Sequence, residues 1–402
     1  MPLLHCKNLQ SSVCHCDADR SHAALARPLR ARTTWFVHNV SEPHGEPISR
    51  AARDDHGTGV ASLVGMNAVV ALERIAFLLE RAHVPHYRPR AFRRAAESLG
   101  RLPAGELERL AAAGELKALS GVGDTITEVV QEALRGEEPS YLRALEARAA
   151  ARPDDAAGEL CRAMRGDCHV HTNWSDGKSS LEEMALAARD LGHDYVVITD
   201  HSPRLTIARG LSPERLRQQL DALAELNQRL APFRILSGIE VDILPDGSLD
   251  QEEELLAALD VVVASVHSHL RSERAAMTDR MLGAIESPHC DVLGHCTGRI
   301  VVGRGRKESD FDAEQVFGAC ARFGKAIEIN CRPERLDPPR RLLGLARELG
   351  CLFAMDTDAH SPGQLDWQHY GCDRAVACGV AADSVVNTWS PERLLAWTGS
   401  HA

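Results

Sequence analysis

Short apolar segments alternate with segments of helical periodicity along the chain from residue 165 to its end. Examples of the apolar segments are YVVITDH, DVVVASVHSHL and CLFAMDTDAH, and DAEQVFGACARFG is one of the helical segments between them. Strands that are apolar nearly throughout are typical of a parallel sheet covered by helices on its faces. The alternation gives seven β-α units. So many units in succession favour a barrel over an open sheet, and the predicted fold class is α/β.

Residues 66–150 have a different pattern, with apolar residues three and four positions apart and breaks at Pro85 and at the GVG sequence of residues 121–123. This periodicity predicts a small all-α domain. Residues 151–164 are charged and alanine-rich, and we interpret them as a linker to the barrel domain, residues 165–402.

Residues 1–65 have neither a helical nor a strand period, and we interpret them as a disordered tail or an over-long start. Zinc binding is an alternative for this segment, although the spacing of its candidate ligands fits no common zinc finger. These candidates are His5, Cys6, Cys14, His15 and Cys16.

Composition narrows the class of protein. No apolar run approaches the roughly 20 residues that span a bilayer, and the N-terminus lacks the features of a secretory signal, so a cytoplasmic location is expected. The net charge of -11 argues against indiscriminate coating of nucleic acid. Several of the 12 cysteines lie in apolar segments, and we expect them to be reduced and buried: Cys168, Cys296, Cys320, Cys331 and Cys351.

Residue types that bind metals recur where the predicted strands end. In a parallel barrel these ends meet at one face, so residues far apart in the chain are expected to converge there. His169 and His171 are two positions apart, as are Asp358 and His360, which places each pair on one side of its strand. The expected cluster has nine members: His169, His171, Asp176, His201, Glu240, His267, His295, Asp358 and His360.

One histidine at a strand end is more often a hydrogen-bonded core or surface residue. A crowded group of imidazoles and carboxylates without metal would instead have to lose its hydration without partners. Mixed ligation of this kind favours Mn²⁺, Zn²⁺ or Fe²⁺ over calcium or magnesium. At about three ligands per ion the cluster would hold three divalent transition-metal ions, with an excess charge of about +3 that favours an anion.

The runs HVHTNWSDG, ITDHS, GIEVDI, ASVHS, LGHCTGR and DTDAH resemble the motifs of the PHP (polymerase and histidinol phosphatase) family. The resemblance implies a distorted seven-stranded (β/α)7 barrel that hydrolyses phosphate esters with a metal-activated water. It also implies three ligand sets: His169, His171, Glu240 and Asp358 for one ion; Glu240, His267 and His295 for a second; and Asp176, His201 and His360 for a third. The residues expected to be catalytic are Glu240, His267, Asp358 and His360.

Arginines in the predicted β-α loops are candidates for binding the substrate phosphate, because a guanidinium forms bidentate contacts with phosphate oxygens. Surface solvation is an equal alternative for each of them. The candidates are Arg204, Arg209, Arg299, Arg332 and Arg335.

The loops of the barrel segment most resemble the PHP domain of bacterial family X DNA polymerases. The helical segment in turn resembles their small N-terminal lyase-type domain, which ends in a helix-hairpin-helix. Fingers and palm are missing between the two, so no polymerase activity is expected. Thr125 and Val129 stand where lysines would be expected, so Schiff-base lyase activity is not expected either.

A GVG turn that opens a helix can present backbone amides to a DNA phosphate, and a basic run lies nearby. Sequence-independent DNA binding through residues 66–150 is therefore expected, although glycines of this kind also merely cap helices. The predicted contacts are Arg88, Arg90, Arg93, Arg94, Gly121 and Gly123.

The leading hypothesis is a DNA-directed phosphoesterase: a 3'-5' exonuclease, a 3'-phosphatase or an abasic-site nuclease. A small-molecule phosphatase of the histidinol-phosphatase type is the alternative. A non-catalytic DNA-binding protein is a second alternative, which is disfavoured because no ligand position is substituted.

Overall fold

A computed structural model describes residues 67–149 and 155–401. The expectations for residues 1–65, including the alternative of a zinc site, lie outside the described residues. Among the helices that are described, none combines the length and the apolar character needed to cross a membrane.

The N-terminal part of the described chain is all helical, as predicted. Asn67 caps the first helix by accepting a hydrogen bond from the backbone amide of Val69. Leu72, Ile75 and Leu79, spaced by three and four residues, are fully buried in the core of this part. The helices are α1 (Ala68–Arg81), α2 (Tyr87–Gly100), α3 (Glu106–Ala112), α4 (Asp124–Leu134) and α5 (Ser140–Arg148).

The GVG sequence forms the turn between a short 3-10 segment, Leu116–Ala118, and helix α4. Gly121 has a φ of +84°, which L side chains rarely adopt, so glycine is required there. Val122 is buried and anchors the turn in the helical core, while Gly123 precedes the first residue of α4. The backbone amides at the start of α4 are therefore held in a fixed loop.

A helix within the predicted linker packs against the barrel. Helix α6 (Ala156–Ala163) begins at Asp155, whose side chain accepts a hydrogen bond from Gly158 N. Leu160 and Cys161 of α6 are buried in the main core of the barrel. The alanine-rich composition suggested a linker, but these apolar residues lie on one face of a helix.

Seven parallel strands form one sheet in the order of the chain, each paired with the next. The sheet closes where β1 and β7 approach: Val170 forms a bridge with Ala359, and His171 N donates to Ala359 O at 2.8 Å. This confirms the predicted (β/α)7 barrel. The strands are β1 (Gly166–Val170), β2 (Tyr195–Ile198), β3 (Arg234–Asp242), β4 (Val261–Ser265), β5 (Val292–Leu293), β6 (Ala326–Asn330) and β7 (Leu352–Asp356).

Helices cover the outside of the sheet, which explains why most strand residues are buried on both faces. Local signals start several of them: Ser180 and Glu183 form a capping box, and Pro213 follows the cap Ser212. The barrel helices are α7 (Leu181–Asp190), α8 (Pro213–Leu230), α9 (Glu253–Leu256), α10 (Arg274–Glu286), α11 (Ala313–Phe323), α12 (Arg340–Glu348), α13 (Gln368–Ala377) and α14 (Pro391–Thr398).

The cysteines differ in part from expectation. Cys161 of α6 and Cys372 of α13 form a disulfide, with Cα atoms 6.0 Å apart. This pairing was not predicted, because no local pattern links two residues that are 211 positions apart. The five cysteines singled out from the sequence are free thiols and buried, as expected: Cys168, Cys296, Cys320, Cys331 and Cys351.

Helix α1 packs against the segment that follows β7. The buried carboxylate of Glu80 accepts two hydrogen bonds of 2.7 Å from Arg93 and one of 2.9 Å from Gly363 N. Nearby, Arg81 Nε lies 2.5 Å from Asp366 Oδ2, and Trp367 Nε1 donates to Arg81 O at 2.9 Å. The helical part is thus bound to the barrel by charged and backbone hydrogen bonds beside the last strand.

We expect Gly363→Ala to destabilise the protein, since a Cβ there would lie 2.2 Å from Phe77 O and 2.6 Å from Glu80 Cβ. Overpacking against backbone costs about 1–3 kcal/mol, which a urea titration would detect. Gly344→Ala on α12 is the matched control, because its Cβ would meet nothing within 4 Å. An unchanged urea midpoint for Gly363→Ala would show that the backbone can shift to accept the extra methyl group without a loss in the free energy of unfolding.

Candidate metal centre

The barrel face at the carboxyl ends of the strands carries all nine predicted ligands. His169 and Glu240 are strand residues of β1 and β3, and the others follow β1, β2, β4, β5 and β7 directly. Five of them line an open cavity of about 480 Å³: Asp176, His201, His267, Asp358 and His360. The fold therefore brings together residues that are as far apart in the chain as His169 and His360.

The carboxylate of Glu240 lies at the middle of the cluster and is 1% exposed. Each of its oxygens faces imidazole nitrogens, and the separations fall between 2.9 and 3.5 Å. Oε2 is nearest to His169, His171 and His201, and Oε1 is nearest to His267 and His295. A carboxylate with one oxygen toward each group of imidazoles has the geometry of a bridging ligand.

Two further carboxylates complete the cluster. Asp358 Oδ1 lies 3.4 Å from His171 Nε2 and 3.6 Å from His360 Nδ1. Asp176 Oδ1 lies 3.3 Å from His360 Nε2 and 3.6 Å from His201 Nε2. His171, His201 and His360 therefore each lie between two carboxylates.

Three overlapping groups in the cluster have ligand atoms within 4.8 Å of one another and could each hold a metal ion. His171 and His201 each belong to two of these groups, whereas the family resemblance assigned each of them to a single ion. His295 is outside these groups, although its Nε2 lies 2.9 Å from Glu240 Oε1. The groups are His171, Asp176, His201 and His360; His169, His171 and Asp358; and His201, Glu240 and His267.

Polar atoms without hydrogen-bond partners test whether the cluster fits metal ions. Among the described residues, buried atoms of the cluster with no such partner are His169 Nε2, both ring nitrogens of His171, Asp176 Oδ1, His201 Nδ1, Glu240 Oε1, His267 Nε2 and His295 Nδ1. Leaving a buried polar atom unpaired costs roughly 1–3 kcal/mol. Unpaired imidazole nitrogens and carboxylate oxygens at close range are the donor set of a mixed nitrogen and oxygen metal site, so the residues fit the metals.

Electrostatics within the cluster agree with this fit. Burial alone would raise the pKa of Glu240, but the imidazoles of His169, His267 and His201 hold it well below its usual value. Burial and the neighbouring imidazoles of His360 and His201 lower the pKa of His171 to about 3. The carboxylate is therefore ionised and His171 is neutral at pH 7, as metal ligation requires. Burial would also lower the pKa of His267, but Glu240 and Asp242 instead raise it to about 9, so a metal ion must displace a proton from that ring.

Two carboxylates that sequence reasoning missed orient the ligands. Glu328 of β6 is fully buried; its Oε1 lies 2.7 Å from His169 Nδ1, and its Oε2 accepts a hydrogen bond from His295 N. Asp242 Oδ1 accepts a hydrogen bond of 3.0 Å from His267 N. Glu328 is two positions before Asn330, whose Nδ2 donates to Asp358 Oδ2 at 3.3 Å, so strand periodicity could have placed Glu328 on the inward side of β6.

Only two of the five candidate phosphate-binding arginines reach the cluster. Arg332 Nη1 lies 3.3 Å from Asp358 Oδ1, and Arg335 Nε lies 3.2 Å from Asp358 Oδ2. Arg299 instead donates to the backbone carbonyls of residues 335 and 336. Arg204 pairs with Asp250, and Arg209 donates to Asn173 O, and both are exposed. Sequence alone could not separate them, since all five follow strands at the same barrel face.

The predicted DNA contacts differ in their exposure to solvent. Arg88, Arg90 and Arg94 are exposed on α2, and Gly121 and Gly123 are exposed in the GVG turn. Arg93 is the exception, because Glu80 holds its guanidinium through two hydrogen bonds and it is 18% exposed. The expectation for Arg93 is therefore corrected: it joins α1 to α2 inside the protein and is not available to a phosphate.

Glu328→Gln should weaken metal binding about 10–100-fold, because a neutral amide no longer fixes the His169 ring. Metal content per chain, measured after dialysis against graded Mn²⁺ or Zn²⁺, gives this directly and needs no activity. Glu392→Gln, on the surface of α14, is the matched control. Equal metal retention by Glu328→Gln and the unaltered chain would rule out the orienting role.

Family profiles match both parts of the chain. A profile described as PHP domain matches residues 167–332, which include seven of the nine cluster residues. A profile described as Helix-hairpin-helix domain matches residues 67–139. The second match confirms the helix-hairpin-helix assignment made from the GVG turn.

Relatives include the DNA polymerase/3'-5' exonuclease PolX of Bacillus subtilis, which is 39% identical over 56% of this chain and 40% of its own length. This chain thus spans less than half of that relative. A probable phosphatase of Caldicellulosiruptor bescii is 30% identical over 48% of this chain and 79% of its own length. A histidinol phosphate phosphatase structure from Lactococcus lactis, in complex with zinc, L-histidinol and phosphate, covers 54% of this chain and 92% of its own, with 18% identity and a TM-score of 0.38.

The similarity to the Caldicellulosiruptor relative extends over most of that protein, and the PHP profile covers strands that carry the cluster. The chain therefore belongs to the PHP family of metal-dependent phosphoesterases, and it is a hydrolase of phosphate ester bonds.

Proposed function

We propose that the chain hydrolyses phosphate esters in DNA, as a 3'-5' exonuclease, 3'-phosphatase or abasic-site nuclease without polymerase activity. One observation carries this proposal: the helix-hairpin-helix domain packs, through the end of its helix α1, against the segment that follows the last strand of the metal cluster. The exonuclease named among the relatives supports the same substrate class. A binding element and a hydrolytic centre on one rigid support would let a single DNA end engage both.

Three divalent transition-metal ions, Mn²⁺, Zn²⁺ or Fe²⁺, are proposed for the cluster. When bound, such ions acidify a water molecule toward neutral pH and offset negative charge on a phosphate. Glu240 would bridge two ions, because its two oxygens face different imidazoles. The other proposed ligands are His169, His171, Asp176, His201, His267, His295, Asp358 and His360.

The residues at the cavity wall define how a phosphate would be held. Arg332 and Arg335 are partly exposed beside Asp358, so their guanidiniums can donate to phosphate oxygens that enter the cavity. His267 and His360 line the same wall, and their side chains are 13% and 12% exposed. They can approach the reacting group directly, whereas Glu240 lies beneath them.

DNA would be bound by its backbone at the helical part. The start of α4 directs unpaired backbone amides outward behind the exposed Gly121 and Gly123. Asp124 in the first turn of α4 would repel a phosphate, but Lys117 pairs with it. Arg88, Arg90 and Arg94 on α2 add positive charge.

A small-molecule phosphatase is the second candidate. It is favoured by the relatives named probable phosphatases, of which this chain covers 79% and 89% of the length. A cavity of about 480 Å³ also accommodates a small phosphomonoester. Under this proposal the helical part would stabilise the segment that follows β7 at the face of the barrel that carries the cluster.

The two candidates are separated by a substrate panel. We expect the protein with Mn²⁺ to shorten a 5'-labelled single-stranded or gapped DNA from its 3' end more efficiently than it hydrolyses histidinol phosphate. Intact DNA together with rapid release of phosphate from the small substrate would refute the DNA proposal and support the second.

His267→Ala should reduce turnover by roughly 100-fold or more, because it removes a side chain that faces both Glu240 and the cavity. DNA affinity, measured by fluorescence anisotropy, should remain nearly unchanged. His289→Ala is the control, since this histidine is comparably buried but pairs with Glu253 away from the cluster. Full activity of His267→Ala would contradict the site.

Replacing Arg90 and Arg94 by alanine should weaken DNA binding equally for unrelated sequences. The slope of log K against log salt should decrease by about 1 per lost phosphate contact. Arg322→Ala on α11, an exposed arginine of the barrel, controls for the loss of charge. An unchanged salt slope in the double variant would place the DNA path elsewhere.

A further inference from the structure

Glu334 lies in the loop after β6, between the helical part of the protein and the metal cluster. Its Oε1 is 2.7 Å from Nε2 of His83, which follows α1. Its Oε2 is 3.5 Å from Nε of Arg332 and has no hydrogen-bond partner among the described residues. Glu334 also lines the cavity that contains the cluster. This carboxylate therefore joins the helical part to an arginine of the active site.

The guanidinium of Arg332 contacts both the metal cluster and Glu334. Nη1 faces the cluster, 3.3 Å from Asp358 Oδ1 and 3.2 Å from His360 Nδ1, while Nε faces Glu334. Its side chain is 22% exposed, so it is confined but open to the cavity. A shift of this guanidinium toward Glu334 would draw it away from an incoming phosphate.

His83 lies at the interface between the two parts, and its side chain is 36% exposed. Its backbone has a φ of +52°, and its amide donates to Glu80 O at 3.0 Å. Its ring packs edge-on against Trp367, with the ring centroids 5.6 Å apart. Trp367 in turn donates to Arg81 O. The imidazole therefore has a fixed place beside Glu334.

We propose that His83 is a positioning residue for the phosphoesterase site: by engaging Glu334, it leaves Arg332 free to bind the substrate phosphate. This inference rests on the proposed role of Arg332 in phosphate binding. It makes docking of the helical part a determinant of substrate binding even for substrates too small to touch that part.

The physical basis is competition for one guanidinium. A carboxylate forms its strongest contact with arginine when both oxygens accept parallel hydrogen bonds. His83 holds Oε1 on the side of the helical part, so that only Oε2 of Glu334 faces Arg332, at 3.5 Å. Without His83, Glu334 is free to form that bidentate pair, and a phosphate must then displace a partly buried carboxylate.

The test uses the whole 402-residue chain with Mn²⁺ and the small substrate p-nitrophenyl phosphate. His83→Ala should raise KM about tenfold, the equivalent of one charge-assisted hydrogen bond, and should change kcat less than about twofold. The inhibition constant of inorganic phosphate should rise in parallel. His86→Ala, an exposed histidine of the same turn, is the control and should leave KM unchanged.

Removing the charge of Glu334 should reverse the rise in KM caused by His83→Ala. Glu334→Gln in the His83→Ala background should return KM to near the original value, since a neutral amide does not hold the guanidinium. A purely structural role for His83 predicts no such rescue, so its absence would overturn the inference, as would an unchanged KM in His83→Ala.

Glu334→Gln alone keeps the inference testable if His83→Ala does not fold. Its KM should equal or fall below that of the unaltered protein, and a raised KM would overturn the competition. The proposed function fails separately, if the unaltered protein hydrolyses neither DNA nor the small substrate.

Discussion

The contacts between the ionised, buried carboxylate of Glu240 and the imidazoles around it are the interaction on which the barrel face at the carboxyl ends of the strands depends. Removing such a charge from water costs several kcal/mol unless partners replace the lost hydration. Five imidazoles within 3.5 Å and the proposed cations supply that replacement. The strand ends must therefore keep their register, since a displaced strand would leave this charge without partners.

A surrounding set of contacts holds the register. Glu328 and Asp242 fix the rings and backbone of three histidines, and the bridge between Val170 and Ala359 closes the barrel beside them. The helical part contributes through Glu80, which accepts a hydrogen bond from the backbone amide of Gly363, three residues beyond His360. The metal cluster is thus supported by residues inside the barrel and by the helical part outside it. The helical part is also the part proposed to bind DNA.

Sequence reasoning predicted the barrel because two signals agreed: apolar strands in repeated β-α units, and metal-ligand residues at their ends. It failed where a residue's role depends on a distant partner. Arg93 and Arg94 are adjacent in a basic run, but only Arg93 faces the buried Glu80 of α1. Likewise, the composition of residues 155–164 suggested a linker, whereas Leu160 lies in the barrel core.

The sequence by itself determined the order of strands and helices, the metal-ligand types and the membership of the PHP family, since these follow from local periodicity and short motifs. Only the tertiary structure decided which arginines reach the cluster, that Glu328 orients two histidines, and that His83 meets Glu334. The reason is that hydrogen bonds and ion pairs between distant segments depend on side-chain directions at a particular packing, and no local pattern encodes that packing.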